Sequence, residues 1–278
     1  MLYGYGILNN HVPTLKATAM GGVSITDTDA LAFISAASIT NNTQKSAINT
    51  FVLDLKSASI WTKMKAIYPF VGGTASQHRF NLKDPRTLDA AYYLNFYNGW
   101  THSSTGAIPN GTDGYADTKL IPSSILSQDS THISYYSRTN NTTGGLDFGA
   151  SNLNNASQLQ AEIKGTDGTT FFRVNRSVGT SGSSTSMTTS SLFYMINRMS
   201  SSQEILFRNT TKNTFNYNST GLTAKSLYLG AFNYNGTALY FGSKENAFTT
   251  IGDGLSDTEA SNLYTAIQKF NTTLSRNI

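Results

Sequence analysis

Cysteine is missing from all 278 residues, so disulfides, thiolate zinc sites and cysteine nucleophiles are excluded, and the redox compartment is left open. Charge is scarce too. Asp, Glu, Lys and Arg make up 13% of the chain, about half of the ~25% usual in soluble domains, which implies a polar but weakly charged surface. No apolar run approaches the ~18 residues that span a bilayer, so membrane insertion is not expected. The first residues, MLYGYGILNNHVP, have neither the basic start nor the sustained apolar stretch of a secretory leader. Action outside a cell would then need another route, such as lysis. The 20 Lys and Arg outnumber the 16 Asp and Glu. They are scattered singly (Lys16, Lys45, Lys56, Arg86, Arg138, Arg173, Arg208), with no stripe that could neutralise a phosphate backbone. Nucleic acid is therefore not an expected partner.

Asn, Thr, Ser and Gly take the place of charge, and 15 Tyr and 15 Phe contribute to a 38% apolar content that can fill a large core. Residues 1 to about 23 carry Gly4, Gly6, Pro13, Gly21 and Gly22 with no sustained period, which reads as an extended arm. A helical hairpin follows. Thr26-Asp27-Thr28-Asp29 is a helix start, with a hydroxyl of Thr26 or Thr28 as cap, and Ala30, Leu31, Phe33, Ile34 and Ala37 form one apolar face. The second helix starts near Asn41-Asn42-Thr43 and places Ala47, Ile48, Phe51, Val52 and Leu55 at helical spacing.

After Trp61 the period changes. Short β-branched and aromatic segments bounded by Gly, Asn, Asp or Ser read as strands: 66–71, 91–97, 131–138, 170–175, 192–198, 204–208, 226–232 and 238–242. Asn98-Gly99, Asn110-Gly111, Asp113-Gly114, Asp167-Gly168 and Asn235-Gly236 are tight-turn dipeptides. The polar stretch 178–191 reads as a long surface loop. Ser256-Asp257-Thr258-Glu259 is a capping box opening a final amphipathic helix. Many short strands without helices between them indicate a sandwich or jelly roll, with residues 1–64 as arm and hairpin (an attachment region) and 65–278 as the jelly-roll domain.

In the C-terminal third, the strand pair ending at Phe207–Thr211 is followed by Leu227-Tyr228-Leu229-Gly230-Ala231-Phe232-Asn233, by Gly242–Phe248, and by Ile251-Gly252-Asp253-Gly254-Leu255-Ser256-Asp257. This order resembles the closing portion of concanavalin A-like, laminin G-like jelly rolls. With the upstream blocks Trp61–Gly73, Phe80–Pro85 and Gly99–Gly106, it looks like the version of that module attached to bacteriophage virion structural proteins, over roughly residues 27–278. The resemblance implies a mainly β, concanavalin A-like jelly-roll sandwich with an N-terminal arm, a helical hairpin and a C-terminal helix. It also implies a non-enzymatic virion structural or decoration protein, head-fibre, capsid- or tail-associated. Such a protein would sit on the extracellular particle as a homo-oligomer among other virion proteins. The alternative is a carbohydrate-binding adhesin for cell-surface or environmental glycans, and, less readily, an enzyme that degrades polysaccharide.

Catalytic constellations are sparse. The only Glu residues are 162, 204, 245 and 259, and none stands in an E-x-D-x-x-E alternation that would set two carboxylates across a glycosidic bond. His11, His78, His102 and His132 show no metal-binding spacing, and no Gly-x-Ser-x-Gly elbow is present. The segment Asn98–Thr118 is the best candidate for ligand contact: Trp100 and Tyr115 offer flat apolar faces beside His102 and Asn110, the combination a sugar ring requires. Asp113 and Asp117 could hold a calcium ion there; no other cofactor is expected. On the competing reading Trp100 and Tyr115 plug the sandwich and the polar residues make turns.

Overall fold

Thr131–Ser137 (β6) reads THISYYS, and every one of its residues is buried in the computed structural model, which describes residues 22–177 and 182–278. Ile133 and Tyr135 face one core and Tyr136 faces another, because β6 lies in the middle of three layers. Leu192–Arg198 (β11) and Asn246–Gly252 (β17), its two neighbours, are buried throughout as well.

The first sheet runs β13 (Thr211–Phe215), β12 (Glu204–Arg208), β11, β6, β17, β4 (Gly106–Pro109), β3 (Trp100–Ser103), and β1 (Met64–Tyr68) also pairs with β17. The second runs β10 (Ser183–Ser186), β9 (Thr169–Arg176), β8 (Gln158–Glu162), β7 (Phe148–Ser151), β14 (Tyr228–Leu229), β5 (Tyr115–Asp117), β2 (Asn95–Tyr97). A hairpin of β15 (Phe232–Tyr234) and β16 (Thr237–Leu239) attaches to β7. Its two-residue turn is the expected Asn235-Gly236, both residues at positive φ (51° and 103°). Tyr68, Tyr135, Phe148, Phe172, Tyr194 and Leu229 belong to the core between the sheets.

Helices cover the other face of the first sheet: α1 (Thr28–Ala36), α2 (Asn42–Ser57) and α5 (Asp257–Thr273), with the short α3 (Ala75–His78) and α4 (Pro122–Ile125) near the sandwich edges. Phe51 of α2, Phe248 of β17 and Phe270 of α5 meet with ring centres 4.9–5.7 Å apart. The hairpin therefore shares one core with the sheet, across the change of period at residues 64/65.

Several local expectations change in detail. The α1 cap is Asp27, whose carboxylate accepts from the amides of Asp29 and Ala30, in place of a threonine hydroxyl. Asp89–Ala91 form a turn of 3-10 helix, so only Asn95–Tyr97 of the 91–97 segment is strand. Within 178–191, residues 183–186 pair with β9 and Met187 is buried, so an edge strand replaces part of the loop. Residues 98–118, the candidate segment for ligand contact, contain β3, β4 and β5. The N-terminal arm and residues 178–181 lie outside the described residues.

Glu204 joins the two sheets. Its carboxylate accepts from Arg176 of β9 (3.0 Å), Arg198 of β11 (3.3 Å), the Val174 amide (2.9 Å) and the Ser183 hydroxyl. Both arginines and the glutamate are buried. Removing the shared acid leaves two uncompensated guanidinium groups, so Glu204→Ala should lower the unfolding free energy by about 3–5 kcal/mol. Asp54→Ala, which breaks the exposed pair with Lys269, should cost no more than about 1 kcal/mol. Urea titrations of the two variants check the contrast.

Candidate functional site

The residues singled out from the sequence separate into three places. Trp100 and His102 stand two positions apart on β3 and share the face that packs on Phe96. Trp100 packs on the inter-sheet core, its ring centre 5.2 Å from Phe96, and a Cβ at Gly230 would lie 3.0 Å from its ring. Its Nε1 is buried without a hydrogen-bond partner. This indole is a plug.

His102, half-buried, completes an imidazole pair with the buried His78. Nδ1 of His102 lies 2.9 Å from Nδ1 of His78, and Nε2 of His78 accepts from the Gly73 amide at 3.2 Å. The Gly73 contact requires His78 to be unprotonated at Nε2, so its proton sits on Nδ1 and is donated to His102. Burial, then His102, then Arg276 push the His78 pKa down to about 3, and burial lowers that of His102. Both rings are held neutral.

Asn110 and Asp113 shape the β4–β5 loop. Asn110 Oδ1 accepts from the amides of Thr112, Asp113 and Gly114 at 3.0–3.1 Å, and its Nδ2 donates to Asp113 Oδ1 at 2.7 Å. This is the turn-making role, not a free hydrogen-bonding edge. Asp117 pairs with Lys119 (3.0 Å) and accepts from the Lys119 amide (2.8 Å). Among the described residues no group of three or more His, Asp or Glu is placed to hold a metal ion, and so none forms around Asp113 and Asp117.

Tyr115 does face outward. On β5, Ala116 enters the inter-sheet core, which by strand alternation turns Tyr115 and Asp117 to the outer face of the second sheet. Tyr115 stacks between Tyr97 of β2 (centres 4.7 Å apart, 11° between planes) and Tyr228 of β14 (4.6 Å, 26°). The three rings form a ladder across adjacent strands. Tyr228 is buried and Tyr97, on the edge strand, is 39% exposed.

Beyond Tyr97 a groove of about 530 Å³ opens between β2 and α3, lined by Asn95, Phe96 and Tyr97 on one side and Ala75, Ser76 and Arg79 on the other. A second groove, sharing Ser76 and Arg79, continues past Tyr93. The Arg79 guanidinium lies over the Tyr93 ring at 3.7 Å. Burial lowers its pKa, its Nε is enclosed without a hydrogen-bond partner, and none of the ion pairs among the described residues includes it. A flat aromatic surface and an unpaired, oriented cation thus share one open depression. Sequence reasoning did not single out Tyr97, Tyr228 or Arg79. Alternation in Asn95-Phe96-Tyr97 put Tyr97 on the polar face, but nothing local placed β14 beside β5.

Comparison with protein-family models finds no match, and neither does comparison with curated proteins. Solved structures do match. A mutant of Trypanosoma rangeli sialidase displaying trans-sialidase activity is 11% identical, with a TM-score of 0.52 over 81% of this chain and 39% of its own. Botulinum neurotoxin type C, described as entering cells through interaction with two ganglioside molecules, is 11% identical, with a TM-score of 0.51 over 76% and 53%. Domain 4 of a Geobacillus stearothermophilus arabinanase, solved with arabinotriose, is 15% identical over 72% and 98%, at a TM-score of 0.47. The chain thus spans about half or less of the first two. Its fold is a mainly β, concanavalin A-like jelly-roll sandwich of two antiparallel sheets.

His78 and the fully buried His132, whose pKa burial lowers to about 4, generate a pH dependence. Both folded values lie below the ordinary 6.5, so the unfolded chain takes up protons that the folded one refuses. Stability is full above about pH 6.5 and falls as the pH drops toward 4 and then 3, by on the order of a few kcal/mol in all. Urea midpoints measured from pH 7 to 4 should decline, and less steeply in His132→Gln.

Proposed function

We propose that the chain is a non-catalytic carbohydrate-binding module whose ligand lies on the Tyr97 edge of the second sheet and in the groove beside it. The observation that carries this reading is the solvent-open Tyr97 ring, backed by Tyr115 and Tyr228, next to the unpaired Arg79. An apolar ring face and a few convergent polar groups are what a sugar needs for stacking and orientation. A fold neighbour, the botulinum neurotoxin, interacts with gangliosides, which supports the use of this architecture for glycans.

The acids favour binding over hydrolysis. Glu204 is held between two arginines, Glu245 pairs with Arg138, Glu259 caps α5 and pairs with Lys63, and Glu162 accepts from the Gly145 amide. That leaves no free pair of glutamates for acid and base duty. The finer expectation, a homo-oligomeric decoration of a bacteriophage particle held by other virion proteins, rests on the sequence resemblance alone and would make the module a means of host contact.

A glycan array tests the reading. The parent protein should bind a defined set of glycans, and Tyr97→Ala and Arg79→Gln should each weaken binding about tenfold or more, a loss of roughly 1.4 kcal/mol. Trp100→Ala should act on stability, by about 3 kcal/mol through the cavity it opens, with little effect on affinity in the folded fraction. A blank array from folded protein overturns the proposal.

A further inference from the structure

Two buried ionic clusters stand between the sheets, and they differ in one respect. Around Glu204 both carboxylate oxygens accept hydrogen bonds from the arginines that face them. Lys244 and Asp147 are equally buried, at 0% and 1% exposure, with Nζ 3.3 Å from Oδ1, yet neither of those two atoms has a hydrogen-bond partner. The contact is close but misses the line along which an ammonium donates to a carboxylate.

The backbone around both residues is fixed. The Asp147 amide donates to Ala161 (3.0 Å), its carbonyl accepts from Gly230 (2.8 Å), and its other carboxylate oxygen accepts from the Ile163 amide (2.8 Å). The Lys244 carbonyl accepts from the Tyr135 hydroxyl (2.9 Å). Burial first, and the Asp147 charge second, raise the pKa of the Tyr135 and Tyr194 phenols well above the ordinary value, so both stay neutral. Burial also raises that of Glu162, a third acid that feels both Lys244 and Asp147. The amine nitrogen and a carboxylate oxygen are thus held 3.3 Å apart in an enclosed site beside two neutral tyrosines.

We propose that Lys244 and Asp147 condense spontaneously into an isopeptide bond that staples the first sheet to the second. Lys244 lies two residues before β17 and Asp147 immediately before β7, so the bond ties the two layers covalently. In the step, Nζ passes one proton to the Asp147 carboxylate and its freed lone pair adds to Cγ. A second Nζ proton moves to the hydroxyl oxygen, the C–O bond breaks, and water leaves. Ammonium and carboxylate become one neutral amide and one water, with no change of oxidation state. The driving force is removal of two enclosed charges whose desolvation a poorly aligned pair does not offset. The resulting amide is neutral.

The test is the intact mass of the full chain, denatured after purification, followed by tandem mass spectrometry of its proteolytic peptides. The expected result is a mass one water below that of the sequence, a branched peptide joining Lys244 to Asp147, and the full mass in Lys244→Met. Asp147→Asn should form the same amide by losing ammonia. A parent chain at full mass overturns the proposal, and this measurement needs no variant to fold. So does a water loss that persists in Lys244→Met, which would mark a succinimide at an Asp-Gly step such as Asp113-Gly114.

Discussion

The strands at the centre of the first sheet, β6, β11 and β17, have no face left for water: the second sheet lies against one side and α1, α2 and α5 against the other. Burial on both faces makes the helices part of the fold. Without them Tyr136, Phe193, Met195, Phe207 and Phe248 would form an exposed apolar surface larger than a soluble protein ordinarily tolerates. It also leaves the outer face of the second sheet and the edges as the surfaces open to solvent. The tyrosine ladder and the Arg79 groove are found there.

A chain with so few charges buries several of them. Glu204 with Arg176 and Arg198, and Asp147 with Lys244, stand at junctions between the sheets. Among the described residues Arg276 forms no ion pair with an acid; its guanidinium donates to the carbonyls of Pro69, Phe70, Thr105 and Ala247 and to Asn271 Oδ1. Burial pulls its pKa to about 9. These contacts fasten the chain end to the exit of β1, to the β3–β4 turn and to β17. Apolar packing alone tolerates sliding of one layer over another, whereas a buried charge is satisfied in one register only.

Rigidity and the proposed recognition surface meet at the Tyr97 edge. The Trp100 plug, the neutral His78–His102 pair and the Asn110-centred loop do not offer themselves to a ligand. They hold β2, β3 and α3 in place around the groove, so the aromatic face and the guanidinium are presented without rearrangement. A preformed site loses less conformational freedom on binding, which matters for weak sugar contacts.

The Ser256–Glu259 capping box, the Asn235-Gly236 hairpin turn and the apolar faces of α1, α2 and α5 were legible in the sequence, because each depends on residues within about four positions of one another. The mainly β, jelly-roll class was legible for the same reason, from the density of short strands and turns. Strand order was not. Pairing of β14 with β5, which stacks Tyr228 on Tyr115, and the meeting of Arg79 with Tyr97 in one groove join segments far apart along the chain. Trp100 and Tyr115, grouped together by proximity in sequence, point to different sides of the sandwich, one as a plug and one as a surface. Local chemistry determined which elements form; the tertiary structure decided which side chains share a surface, because only closure of both sheets and their helical cover settles which faces remain open.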